Sequence, residues 1–338
     1  MEQSIDEIIR IFLLTAGAFL VAMVWTPFLT NFLYKYKVSQ QIRDKSWDGT
    51  DVPVYKKFHE HKAGTPTMGG LIVWVTAAVL TLIFNLDRGQ TWLPLFVLVT
   101  TGILGAVDDI LNMKGKGSIK GLGAKPKFLW LIIFSAIGAW WFFYKLGFDT
   151  IHIPAIGDFH IEAWYIPFFM VVLIGTANAV NITDGLDGLA GGLLALAFSA
   201  FAVIAFFQGQ YGLAAFCATI IGGLITFLWF NINPARFFMG DTGAFALGST
   251  LAVVALLTNS VVALIVIGFI FVAEAASSLI QIFSKKFLKR KVFISAPLHH
   301  HLQAKGWEET KIVMRFWMLG AILAVLGIAV GIIGGGAR

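Results

Sequence analysis

The sequence predicts an all-α polytopic membrane protein, with about ten transmembrane helices, both termini outside, a small outer β-hairpin and catalytic loops on the cytoplasmic side. Three observations carry the prediction. Hydrophobic residues make up 58% of the 338-residue chain and charged residues only 13%, against about 25% charged in soluble domains. The apolar residues gather into runs close to the roughly 20 residues that cross a bilayer. The basic residues alternate between those runs, so that twenty-one of the 25 Lys and Arg fall on one face.

The runs are residues 8–34, 68–86, 91–107, 128–146, 163–181, 188–207, 212–231, 243–259, 261–283 and 314–334. The first follows Glu2 and Asp6 with no basic segment before it, so it does not read as a secretory signal. The sixth and eighth are rich in Gly and Ala, and Gly191-Gly192 and Gly222-Gly223 add points where helices can approach closely. Between the fourth and fifth, Ile151 to Ile161 alternates apolar and polar residues around Pro154 and Gly157, the pattern of a hairpin. His152 and His160 read as its solvent-facing positions, with metal ligation the alternative. Cys217, the single cysteine, reads as a small packing residue. No internal repeat is visible, which weakens a transporter reading. The chain reads as one integral membrane domain, 1–338.

Orientation follows from the positive-inside rule. The basic face holds the residues from Lys35 to Lys62, then Lys114, Lys116, Lys120, Lys125 and Lys127, then Arg236, then those from Lys285 to Arg315. Only Arg10, Arg88, Lys145 and Arg338 fall opposite. The richer face is therefore cytoplasmic. The net charge of +6 speaks to orientation and to membrane lipids rather than to nucleic acid. Asp108-Asp109, Asp184, Asp187 and Asp241 all fall on that same face, although acids took no part in the count.

Carboxylates at a membrane edge are expensive and are functional candidates by default. Asp108 and Asp109 close the third run. Side chains adjacent on a helix point about 100° apart, so one can serve as base or metal-water partner while the other orients a neighbour. Asn181 precedes Asp184 and Asp187 by three and six residues, and a helical turn would put the two acids on one face. Gly240 and Gly243 bracket Asp241, which suits the sparse protein contribution to a Mg²⁺ shell. Asn231 opens the same segment, and Phe237 or Phe238 offers a ring to a planar base. Lys62-Ala63-Gly64-Thr65-Pro66-Thr67 leads into the second run with a cation and hydroxyls suited to phosphate at a helix N-terminus. Of the basic loop, Lys125 is the site candidate. Contiguous His299, His300 and His301 do not match zinc spacing and fit phosphate contact or loop shaping. Glu274, inside the ninth run, receives no role.

Together these segments resemble the polyprenyl-phosphate N-acetylhexosamine-1-phosphate transferase superfamily. The Asp108-Asp109, Asn181-to-Ala190 and Met239-to-Gly243 segments are similar to motifs shared across it. The Lys62-to-Gly70 segment and Pro297-Leu298-His299-His300-His301 are similar to those of its phospho-N-acetylmuramoyl-pentapeptide transferase branch. The resemblance implies transfer of phospho-MurNAc-pentapeptide from UDP to undecaprenyl phosphate, giving lipid I and UMP in peptidoglycan synthesis. It implies a Mg²⁺ cofactor, a homodimer, and a bacterial cytoplasmic (inner) membrane location. By the same resemblance Asp108, Asp109 and Asp241 are catalytic, and Asp241 is also the metal ligand. Lys62, Thr67, Asn181, Asp187, Asn231, Phe238, His299, His300 and His301 resemble substrate-binding positions, Asp187 and Phe238 on the uridine side. Asp184 and Lys125 join the substrate-binding candidates on the reading of their own segments, not on the resemblance. Gln303 stands where members commonly have Glu, and Ala244-Phe245 where they commonly have Ser-Leu. The alternatives are a sister enzyme transferring GlcNAc-1-phosphate to polyprenyl phosphate, and an ion-coupled transporter. The histidine triplet and Thr65-Pro66-Thr67 argue against the first. The gathering of acids at one face argues against the second.

Overall fold

The computed structural model describes residues 2–36, 38–39, 62, 64–87, 89–114 and 122–333. Of the basic residues counted above, Lys37, Arg43, Lys45, Lys56, Lys57, Arg88, Lys116, Lys120 and Arg338 lie outside the described residues. In chain order the helices are α1 (Glu2–Lys35), α2 (Leu71–Phe84), α3 (Trp92–Lys114), α4 (Ala124–Trp140), α5 (Tyr165–Thr183), α6 (Leu189–Phe207), α7 (Tyr211–Asn231), α8 (Gly240–Leu257), α9 (Val261–Ile267), α10 (Phe269–Phe283), α11 (Leu298–Ala304) and α12 (Glu309–Ile332). Between α4 and α5 stands the hairpin of β1 (Thr150–Ile153) and β2 (Gly157–His160), antiparallel with Thr150 opposite His160 and His152 opposite Asp158. His160 is exposed, as expected, whereas His152 is half-buried and its Nδ1 meets Asp158 Oδ1 at 2.7 Å.

Among the described residues, α1, α3 to α8 and α12 are each long and apolar enough to cross a membrane, which makes eight spans. The predicted runs and the helices differ in three places. The ninth run is not one helix, because α9 and α10 meet at a 78° bend. The bend falls at Gly268, whose N–H still reaches Leu264 O at 2.8 Å while the axis turns. Counting that pair as one span gives nine. The second run forms only the 14-residue α2, about 21 Å long at 1.5 Å per residue, because its first residues are needed as loop. Finally, α3 continues to Lys114, so Asp108 and Asp109 lie inside a helix rather than at its end.

The central element is α8, which packs against α3 on one side and α5 on another, while α7 packs against α1, α2 and α6. Small residues set these approaches. An added Cβ at Gly105 of α3 would stand 2.2 Å from Asp241 O, and one at Gly70 would stand 2.2 Å from Gly243 Cα. One apolar core runs from Ala22 to Ala324. Large side chains such as Phe12, Phe28, Val171, Trp229 and Met318 are exposed, an apolar outer surface that hydrocarbon accommodates.

Hydrogen bonds hold the two ends of the bundle differently. At the hairpin end, Arg10 reaches Asn85, Asn85 reaches Gly212 O, Gln210 reaches Leu257 O, and His152 N–H donates to Asn259 Oδ1. His152 Nε2 also lies 3.4 Å from Ile333 O, so α12 finishes at this end. At the other end the loop before α2 lies along the segment before α8. Phe238 N–H donates to Pro66 O at 2.8 Å, Gly69 N–H to Phe238 O at 2.8 Å, and Gly70 N–H to Met239 O at 2.9 Å.

Candidate active site

The acids gather at the end opposite the hairpin, in two adjoining clusters. The first is built by α3, α4, α5 and α8. Asp108 is fully buried. Its Oδ2 meets Lys127 Nζ at 2.6 Å and Asn112 Nδ2 at 2.7 Å, and its Oδ1 accepts from the Leu122 N–H at 2.7 Å. Lys127 Nζ also meets Asp241 Oδ2 at 2.6 Å. Asn181, in the last turn of α5, donates to Asp241 Oδ1 at 2.8 Å. Two carboxylates thus converge on one cationic group. Asp241 stands in the first turn of α8, where the dipole favours negative charge.

Asp109 faces elsewhere, as its 100° offset from Asp108 requires. Its oxygens accept from the N–H groups of Asp241 at 3.3 Å and Thr242 at 3.1 Å. A carboxylate of α3 therefore caps α8, a task normally left to a residue of the capped helix's own chain segment. Thr67 Oγ1 is buried without a hydrogen-bond partner and crowds Gly240 together with Asp109 Oδ2.

Asp184 and Asp187 do not share a helical face. The helix α5 stops at Thr183 and α6 begins at Leu189, so the two acids sit in the turn between and diverge. Burial raises the Asp184 carboxyl to about 7, with the charges of Asp241 and Asp187 adding to the rise and the nearby Gly240 N–H opposing it. Asp187 belongs to the second cluster. Its Oδ1 meets Lys62 Nζ at 2.7 Å, and its Oδ2 accepts from Asn233 Nδ2 at 2.9 Å and the Ala235 N–H at 3.1 Å. Asn231 Oδ1 accepts from the Gly188 N–H at 2.9 Å while its Nδ2 donates to Phe237 O at 2.9 Å, fastening the α5–α6 turn to the segment after α7. Phe237 is fully buried against Phe227 and Phe230. Phe238 is only half-buried, with Lys62 Nζ 5.9 Å from its ring centre.

The three histidines on α11 do three different things. His299 is buried, with its N–H and Nδ1 both on the Glu274 carboxylate (Nδ1 to Oε2, 3.0 Å), and its Nε2 lies unpartnered against Gly185. Glu274, without a role in the sequence reading, therefore holds the α11 segment to α10. His300 Nδ1 meets Gln303 Oε1 at 2.8 Å. His301 Nδ1 accepts from the Ile294 N–H at 3.2 Å, and its ring faces Phe293. Burial, with Lys305 adding, lowers its pKa below the ordinary histidine value.

Of the residues singled out in the sequence, Asp108, Asp109, Asn181, Asp184 and Asp241 come together around the start of α8, with Thr67 against Gly240. Lys62, Asp187, Asn231 and Phe238 form the adjoining cluster. Lys125 joins neither; it is exposed in the first turn of α4. The lysine that reaches the acids is Lys127, two residues on. Asn112, Asn233 and Glu309 were also missed. Asn112 lies one helical turn beyond Asp108, a spacing that could have found it. Glu309 reads in sequence as ordinary dipole compensation at a helix start.

The comparisons with known proteins agree with one another. Residues 91–259 match the family described as glycosyl transferase family 4, and residues 62–72 match signature 1 of phospho-N-acetylmuramoyl-pentapeptide-transferase. Three similar proteins carry that same transferase name. The one from Bacillus cytotoxicus is 42% identical over 328 residues, covering 95% of this chain and 98% of its own. The one from Geobacillus thermodenitrificans is 41% identical over 325 residues, covering 93% and 95%. The one from Levilactobacillus brevis is 38% identical over 318 residues, covering 92% and 95%.

Proposed function

We propose the reaction from one premise: this chain belongs to the phospho-N-acetylmuramoyl-pentapeptide-transferase family, within glycosyl transferase family 4. It is a polytopic membrane transferase of peptidoglycan synthesis that moves a phospho-N-acetylmuramoyl-pentapeptide group. In the finer reading the donor is UDP-MurNAc-pentapeptide and the acceptor is undecaprenyl phosphate, with lipid I and UMP as products. The site then faces the cytoplasm across the bacterial inner membrane, in keeping with the basic loops at that end. A homodimer is expected from the family resemblance.

The observation that supports this most is the meeting of Asp108 and Asp241 on Lys127, beside Asn181. Phosphoryl transfer is mostly positioning and charge stabilisation, and this cluster supplies both at the membrane edge. A soluble nucleotide and a lipid phosphate can each reach it from their own phase. Asp108 is the carboxylate held ready to take a proton or to attack phosphorus, fixed by Lys127, Asn112 and the Leu122 N–H. Lys127 balances the acids and offers its charge to a phosphate oxygen. Asp109 is a positioning residue: it accepts from the N–H groups of Asp241 and Thr242 and so holds the start of α8. Asn181 orients Asp241. Lys62, Asp187 and Phe238 present a cation, an acceptor and a half-exposed ring to the uridine end of the donor.

The residues fit Mg²⁺. Oxygen donors of Asp241 and Asp108 already converge on a single cation, and Mg²⁺ takes one or two carboxylates with water and substrate phosphates completing its shell. Asp241 would hold it, and the ion would spread the negative charge of the diphosphate when bound.

The test is radiolabel transfer by the purified protein in detergent. UDP-MurNAc-pentapeptide and UDP-GlcNAc are offered separately with undecaprenyl phosphate, with and without Mg²⁺. The expected result is Mg²⁺-dependent lipid product from the muramyl donor alone, abolished in Asp241→Asn while the variant stays folded. Product from UDP-GlcNAc instead would move the chain's reaction to the sister class. Substantial turnover by Asp241→Asn at saturating Mg²⁺ would remove Asp241 from the metal site.

A further inference from the structure

The last helix reaches into the second cluster through Glu309. A single oxygen, Oε1, accepts from Lys62 Nζ at 2.6 Å and from the backbone N–H of Asp187 at 2.7 Å. Lys62 also bonds Asp187 Oδ1 at 2.7 Å, so one ammonium joins two carboxylates that would otherwise repel. The three side chains are nearly buried, at 8%, 3% and 12% exposure for Lys62, Asp187 and Glu309. They come from three separate parts of the chain: the loop before α2, the α5–α6 turn and the first turn of α12.

We propose that Glu309 is a positioning residue for the donor nucleotide: its carboxylate fixes the Lys62 ammonium and the Asp187 main chain where the UDP end of the donor is received. The inference rests on the transferase reading above and deepens it. A lysine side chain has rotamer freedom that a pocket must remove, and its two bonds to Asp187 and Glu309 remove it. Because the same oxygen takes the Asp187 N–H, Glu309 also sets the distance between that lysine and the α5–α6 turn. The half-exposed ring of Phe238 lies near this cation, so a planar base, a phosphate and the carboxylate pair all meet around one fixed charge. Glu309 bonds to Lys62 and Asp187, whereas Lys127 joins Asp108 to Asp241 without its help. Its loss therefore acts on donor binding and not on the chemical step.

The experiment compares the unsubstituted protein with Glu309→Ala and Glu309→Gln, measuring kcat, KM for each substrate and the inhibition constant of UMP. In Glu309→Ala the donor KM and the UMP constant rise about tenfold or more, the scale of a lost hydrogen bond to a charged group. The undecaprenyl phosphate KM and kcat stay within about twofold, the signature of lost ground-state binding. Glu309→Gln keeps an acceptor oxygen but not the charge, and its donor KM rises about threefold, between the other two. An unchanged donor KM, an equal rise for both substrates, or a loss confined to kcat in Glu309→Ala would overturn the inference. Should the alanine variant lose its monodisperse peak in detergent, Glu309→Gln decides alone, and a donor KM equal to the unsubstituted protein's overturns it. No product from the unsubstituted protein would remove the transferase reading, and this inference with it. Product with no Glu309 effect would remove this inference only.

Discussion

At the residue scale, the first cluster is organised by Lys127. Its ammonium lies 2.6 Å from both Asp108 and Asp241, and without it two nearly buried carboxylates face each other. Lys127→Met is expected to lower kcat by about 10²-fold or more, the scale seen when a charge-stabilising donor is removed from an active site. Lys125→Ala, on an exposed side chain of the same turn, is expected to leave turnover near that of the unsubstituted protein. Steady-state transfer assays read both, and a Lys127→Met variant with full turnover would take that lysine out of the mechanism. The sequence carried the acids and Asn181 plainly, because a carboxylate beside an apolar run has few structural reasons to be there. It did not carry the choice among five lysines of one loop. Side-chain reach across α4 decides that, and a basic loop looks the same whether one lysine or none turns inward. Glu309 was hidden for the opposite reason, since an acid in the first turn of a helix already has an ordinary explanation.

Elements, unlike single residues, were legible in outline and misread at their ends. Hydropathy found the run that becomes α3 but stopped it at Asp108, because charged residues end an apolar window whether or not the backbone turns. The helix goes on to Lys114, and this extra length lets Asp109 cap the start of α8. Hydropathy equally could not see the 78° bend at Gly268, since both arms are apolar. The pairing of Asp184 with Asp187 failed for a related reason: the i, i+3 rule holds only inside a helix, and their glycine-rich turn is not one. The cross-helix cap makes a prediction at this scale. Asp109→Ala leaves the N–H groups of Asp241 and Thr242 without their acceptor and should cost about 0.5–2 kcal/mol, as for loss of a helix N-cap. Thermal unfolding in detergent measures it, and an unshifted melting temperature would mean that the cap contributes nothing.

For the whole molecule, the alternation of basic loops predicts a sidedness before any contact is known. Convergence of the acids at one end of the bundle and of the hairpin at the other fits that reading. Cys217 is fully buried and can be replaced by Ser to give a cysteine-free background. In that background, a cysteine at Asp158 of the hairpin should react with a membrane-impermeant maleimide on intact cells. A cysteine at Lys289, beyond α10, should react only after permeabilisation. The reverse pattern would invert the topology. Sidedness and composition could not, however, show which distant segments meet, and those meetings have a consequence for synthesis. Lys62 and Glu309 are 247 residues apart, so the cluster joins one segment to another that leaves the ribosome much later. A nascent chain that has inserted everything through α10 still lacks α12 and the carboxylate that steadies Lys62. Truncated products released early would sit in the membrane with the acids of α3 and α8 present and the Lys62 cluster unfinished, so on the proposed reading translation itself decides when the protein can begin to bind its donor.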